Sequence, residues 1–227
     1  MVFIFLVIIL LLLVFMPNIW VKRVMNKYSN PKDRYSGTGA DLARHLLDKN
    51  DLHQISIETT EDGDHYDPED KTVRLTNEKY SQCSLTAITV AAHEVGHAIQ
   101  DKESYRPLVF RSRLVKLTLK LEKVGAAILM LSPFIGALTR APGLSMIVFL
   151  GGFLTLLSST LVHFVTLPTE IDASFNRALP MLEKHNILKK TDKRHARKIL
   201  QAAAFTYIAS SLMSLLNIAR WWAILRR

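Results

Sequence analysis

Apolar positions along this chain form two patterns: four long runs, and short stretches where apolar and polar residues alternate or recur at helical spacing. Val2 to Met16 (VFIFLVIILLLLVFM) holds no polar residue and continues through Val21, roughly the 20 residues that cross a bilayer as a helix. No basic residue precedes this run and no Ala-x-Ala-like exit follows it, so it reads as an uncleaved anchor rather than a signal peptide. Val124 to Leu138 is short, contains Pro133 and lies between Lys123 and Arg140. Gly143 to Pro168 is long and uncharged, and the turn at Arg140-Ala141-Pro142-Gly143 makes these two runs a transmembrane hairpin. Ile199 to Ala219 is the fourth run, ending in Arg220-Trp221-Trp222 as an interfacial aromatic anchor.

Between the runs the periodicities are shorter. Gly39 to Asn50 places apolar residues at 42, 43, 46 and 47, one face of a helix that ends near Asn50. Ile55 to Glu58 and Thr72 to Thr76 alternate as strands, and Thr59 to Lys71, rich in Asp, Glu, Gly and Pro, reads as the loop between them. A second helix is predicted from about Ser84, its N-cap, to Asp101. From Asp101 to Lys123 the basic residues Arg106, Arg111, Arg113, Lys116, Lys120 and Lys123 are interleaved with leucine and valine, the pattern of a segment lying at a membrane interface.

Charge orients these pieces. Of 29 Lys and Arg, 17 lie between Lys22 and Lys123 and 8 between Arg177 and Lys198; the other 4 are Arg140, Arg220, Arg226 and Arg227. Four crossings would put the first two groups on one face, which the positive-inside rule makes the cytoplasm. The net charge of +9 is then explained by anionic lipid head groups, and no basic patch interleaved with aromatics asks for nucleic acid. Cys83 is the single cysteine, so no intramolecular disulfide forms.

Chemistry enters with AITVAAHEVGHAIQDKE, Ala87 to Glu103. Four residues apart on a helix, His93 and His97 can present both imidazoles to one ion. Glu94, turned about 100° from His93, can reach a water beside that ion without ligating it. Zinc takes two neutral imidazoles and an oxygen donor and leaves a fourth position for water. The oxygen must come from a separate element on the same side of the membrane, and Pro168 to Ser174 (PTEIDAS) begins where the expected hairpin returns. Glu170 and Asp172 are about 200° apart on a helix, so both cannot face one ion. Thr169 with Asp172 fits an S/T-x-x-D cap, which leaves Glu170 for the metal and gives Asp172 either the cap or a bond to a ligand histidine. Arg177 is a candidate contact for an oxyanion or a substrate carboxylate, or else a solvated or lipid-facing charge. A structural zinc site would need a fourth donor, and the spare residues His45, His53, His65 and Cys83 lack paired spacing. A transporter would need ionisable residues inside its spans, where only His163 is found, near a span end.

The segments TGADLAR (38 to 44), DHYDPEDKTVRLT (64 to 76), AAHEVGHAIQ (91 to 100) and LPTEIDAS (167 to 174) resemble the YugP-type neutral zinc metallopeptidases, a family of small membrane-embedded bacterial and archaeal proteins. The organisation is also similar to HtpX-type membrane proteases. The resemblance implies His93, His97 and Glu170 as zinc ligands and Glu94 as the catalytic base. It further implies that Asp64 to Thr76 borders the cleft and pairs with substrate as an added strand. His65 would then order that loop or stabilise the oxyanion.

The fold expected is an α+β membrane protein, mainly α, with about four transmembrane helices and a small zincin-like cytoplasmic domain containing a short β-sheet. Its parts are an anchor (1–21), a metallopeptidase core with a basic interfacial segment (22–123), a transmembrane hairpin (124–168), a cytoplasmic helix with the third ligand (169–198) and a C-terminal transmembrane helix (199–227). The function expected is a membrane-embedded zinc-dependent endopeptidase of a prokaryotic plasma membrane, its site facing the cytoplasm and its substrates peptides or proteins, membrane proteins among them. The alternative is a non-catalytic zinc-binding scaffold or regulator.

Overall fold

Thr38 starts the first helix of the folded core. Its hydroxyl accepts from the Asp41 backbone N–H, and the Asp41 carboxylate accepts from the Thr38 N–H, so two donors that a helix start leaves unpaired are satisfied together. In this computed structural model, which describes residues 2–139, 143–144, 146–151 and 166–215, that helix is α2 (Gly39–Lys49), preceded by α1 (Val2–Tyr28). Ala43, Leu46 and Leu47, on the face the spacing predicts, are buried.

Three strands follow: β1 (Ser56–Thr60), β2 (His65–Asp67) and β3 (Thr72–Thr76). They form one sheet in the order β1-β3-β2. β3 runs parallel to β1, with Ser56 opposite Thr72, and antiparallel to β2, with His65 opposite Arg74. As the central strand, β3 buries Val73 and Leu75. β2 falls inside the stretch predicted as loop, because three residues are too few for an alternation to stand out among the flanking Asp and Glu. It is held by tertiary contacts: Tyr66 is buried, and its hydroxyl donates to the Asp101 carboxylate at 2.7 Å.

After the short α3 (Asn77–Ser81), Ser84 caps α4 (Leu85–Lys102) by accepting from the Ala87 N–H at 3.1 Å. Every residue of α4 from Leu85 to Gln100 is buried. A helix buried all round is the core of its domain rather than a surface element. α5 (Arg106–Thr139) follows, and then a helical stretch over residues 166–171 that opens into a π-helix (Asp172–Ala178) and closes again as α6 (Leu179–Lys184). The last element described is α7 (Lys193–Leu215).

The chain divides into two compact units. One comprises Met16–Leu108 with Leu167–Thr206, and the other Met1–Phe15, Val109–Thr166 and Tyr207–Arg227. The first unit holds the apolar core, with Leu46, Leu47, Ile55, Leu75, Ile88, Leu182, Ile199 and Leu200 at most 2% exposed. Burial of each such side chain contributes roughly 1.5–3 kcal/mol. In the second unit, α5 leaves Phe110, Leu117, Met130, Leu131, Phe134 and Leu138 exposed.

The expectation of about four transmembrane helices is corrected here: the structure is mainly helical with a small three-stranded sheet, and among the described residues no helix is long and apolar enough to cross a membrane. For the second and fourth runs the reasons are local. The basic segment and the second apolar run are one continuous helix, α5, whose uncharged part after Lys123 covers only about 24 Å at 1.5 Å per residue, short of a bilayer core of about 30 Å. α7 likewise carries Arg194, Arg197 and Lys198 in its first turns. α1 runs seven residues past the expected end at Val21, and its C-terminal part serves the first unit: Val21 is buried, Val24, Met25 and Tyr28 pack on the core, and the Met25 carbonyl accepts from Thr86. Most of Gly143–Pro168, the Arg140–Pro142 turn, His163 and the Arg220–Trp222 anchor lie outside the described residues.

Candidate metal centre

α4 is the rigid half of the site. Its i, i+4 spacing stacks His93 and His97 edge to face, with ring centroids 4.8 Å apart and planes at 80°. The other half comes from the helical return after residue 166. The Glu170 Oε2 atom lies 3.3 Å from His93 Nε2 and 3.2 Å from His97 Nε2. One ligand atom from each of the three side chains falls within a sphere of 4.8 Å mutual distances. All are buried: His93 is 3% exposed, His97 4% and Glu170 0%.

Gly96 makes this approach possible. A Cβ at that position would sit 2.7 Å from the Ala173 carbonyl oxygen, so the absence of a side chain between His93 and His97 lets the π-helix lie against α4. The motif's glycine is thus a packing requirement, set by backbone that cannot swing aside.

Electrostatics agree with the geometry. Burial pushes the Glu170 carboxyl up, but the imidazoles of His97 and His93 outweigh it and hold the group well below the usual carboxylate range. Two imidazole nitrogens and a carboxylate oxygen, buried together and converging, form the donor set that zinc takes in a site with an open fourth position. The residues present therefore fit the ion.

The remaining candidates are placed as follows. Glu94 is 5% exposed on α4, one residue past His93. Asp172 does not cap with Thr169, which sits within continuous helix and whose Oγ1 has no hydrogen-bond partner. Asp172 accepts instead from Gln100 Nε2 at 2.8 Å, Asn176 Nδ2 at 2.8 Å and Arg177 Nε at 2.7 Å. Burial acts against the Asp172 charge, yet these donors keep its carboxyl below the ordinary value. Arg177 is engaged within the protein: besides Asp172 it meets Glu103 Oε2 at 2.8 Å and lies over the Tyr105 ring. His65, half-buried at the start of β2, bonds through Nδ1 to the Gly63 carbonyl at 2.8 Å, within its own turn.

Two residues of the site were not singled out from the sequence. Gln100 Oε1 lies 2.9 Å from His97 Nδ1, and Ser174 Oγ lies 3.0 Å from His93 Nδ1. Spacing could have found both, since Gln100 is three residues past His97 and Ser174 four past Glu170, each on the face of its neighbour.

Residues 3–226 match the family described as "Putative neutral zinc metallopeptidase". The chain is 35% identical over 223 residues to the "Putative membrane protease YugP" of Bacillus subtilis (strain 168), covering 97% of this chain and 95% of that one. No solved structure matches it. A match over nearly the whole length, together with a buried His93, His97 and Glu170 cluster able to bind a metal ion, places the chain in the neutral zinc metallopeptidase family.

Proposed function

We propose that the protein is a zinc-dependent endopeptidase in which His93, His97 and Glu170 hold the ion and Glu94 is the general base. The observation that supports this most is the convergence of His93 Nε2, His97 Nε2 and Glu170 Oε2 from two elements distant in sequence. Zinc bound there supplies Lewis acidity, which acidifies a water and polarises a scissile carbonyl. Glu94 takes the proton from the attacking water and delivers it to the leaving amine nitrogen. The buried walls of α4 and the π-helix limit bulk water at the reacting atoms, which strengthens the charge interactions there. The relative's printed name and the exposed apolar residues of α5 support a membrane as the place of work.

Glu94→Gln tests the mechanism because it removes the base and keeps the shape. Chelator-sensitive cleavage of an unfolded protein is expected to fall by at least about 10²-fold, with zinc content equal to the parent. Cleavage at the parental rate would exclude Glu94 as the base.

A further inference from the structure

Resting on the zinc reading above, we propose that Gln100 and Ser174 are positioning residues that commit His97 and His93, respectively, to binding the ion through Nε2. A neutral imidazole carries one N–H and one lone pair, and only the lone pair can bind a metal. Which nitrogen keeps the lone pair is settled by what the other one faces.

For His97 the answer follows from the Gln100 amide. Its nitrogen faces the Thr169 carbonyl oxygen at 2.9 Å and the Asp172 Oδ2 at 2.8 Å, both acceptors, so the two amide protons are committed. Turning the amide round would set oxygen against two oxygens. Oε1 is therefore the atom facing His97 Nδ1 at 2.9 Å, and since an amide oxygen only accepts, Nδ1 must carry the proton. The lone pair is left on Nε2, the atom facing Glu170.

For His93 the same logic runs through a hydroxyl. Ser174 has one proton, and the Leu200 carbonyl at 3.1 Å can only accept it. The oxygen's lone pair then faces His93 Nδ1 at 3.0 Å, and that nitrogen is the donor. Gln100 and Ser174 are both 0% exposed, so water offers neither histidine another partner on that side.

The two supports differ in what stands behind them. Behind Gln100 is a charged chain, Asp172 to Arg177 to Glu103, which reaches the surface, where Glu103 is 57% exposed. Behind Ser174 is the backbone of α7. Loss of one support should therefore leave the other intact, which makes each arm testable on its own.

The experiment uses the full-length protein with zinc alone as the probe. Zinc affinity is measured by chelator competition, and the imidazole Nδ1–H signals are recorded in the zinc-loaded, ¹⁵N-histidine-labelled protein. Gln100→Leu is expected to weaken zinc binding about 10–100-fold and to shift or exchange-broaden the His97 Nδ1–H signal while that of His93 stays in place. Ser174→Ala should do the converse. The unmoved signal in each variant reports that the site is still folded. Unchanged affinity and unchanged signals in Gln100→Leu would overturn the proposal, as would Nε2–H signals from these histidines in the parent. Zinc binding by the parent that survives His93→Ala and Glu170→Ala would overturn the metal reading itself, a failure distinguishable from the first.

Discussion

α4 and the segment from residue 166 through α6 face each other across the site, and they present their groups by different helical geometries. α4 is regular: His93 and His97 stand one turn apart, with Gln100 a further turn along the same face. Opposite it the backbone widens into a π-helix over Asp172–Ala178. Asp172 and Arg177, five apart, are bonded there, and Glu170, Asp172 and Ser174 all meet groups on α4. A regular helix suffices for two ligands that recur every turn. A segment that must supply one ligand and two supports at two-residue spacing departs from the α period to do so.

The contrast can be broken most severely at the ligand the second segment supplies. Glu170→Ala should abolish stoichiometric zinc, whereas Asp172→Ala, which reaches the ligand His97 only through Gln100, should weaken binding by at most about 10-fold and leave the site loadable. Metal analysis after dialysis reads the difference, and the reverse ranking would exchange the two roles.

Gly96→Ala tests the contact between the segments. Alanine in an ordinary helix interior would stabilise by about 1 kcal/mol. Here the added Cβ meets backbone, the Ala173 carbonyl oxygen at 2.7 Å, and the net cost should be about 1–3 kcal/mol together with weaker zinc binding. Denaturant unfolding and chelator competition measure both, and a stabilised variant with parental zinc affinity would mean the two segments do not touch as described.

A smaller effect, and one with a pH signature, lies behind the second segment. Asp192, 0% exposed, takes both arms of Arg34 and the Tyr35 hydroxyl, and its backbone carbonyl accepts from Ala196 in the first turn of α7. The Arg34 hydrogen bonds, against the opposing effect of burial, hold its carboxyl at about 2, down from 3.8. A depressed acid stabilises fully above its unfolded value, and that contribution is lost as pH falls through the folded one. Asp192→Asn should therefore be less stable than the parent by roughly 1–2 kcal/mol at pH 7, and the gap should close between pH 3.8 and 2. A gap unchanged over that range would remove Arg34 and Asp192 from the account.

Much of the first segment was legible in the chain itself. Local signals act within a few residues, so the Ser84 cap, the face of α2, the alternation of β3 and the spacing of His93 and His97 could all be read directly, whereas the pairing register of β3 could not. The second segment resisted for the opposite reason. The π-helix has no local signature, and treating 169–172 as an α-helical start suggested a Thr169 cap that is not formed. Glu170 was reachable as an acid on a separate element, and Gln100 and Ser174 stand at helical spacing from His97 and Glu170, but their partners across the site, Thr169 and Asp172 for Gln100 and His93 for Ser174, are set only once two distant stretches are side by side. The four-crossing reading went wrong at element boundaries. Apolar runs were counted as separate units where α1, α5 and α7 continue through charged or core-packing residues, and a hydropathy pattern does not show where one helix ends and the next begins.

The central claim is that α4 and the helical return together hold one zinc ion. Anomalous X-ray diffraction from crystals of the zinc-loaded protein, recorded on both sides of the zinc absorption edge, tests it most directly. A single edge-dependent peak bounded by His93 Nε2, His97 Nε2 and Glu170 Oε2 is the expected result. A zinc peak elsewhere in the chain, with none between these three atoms, would contradict it.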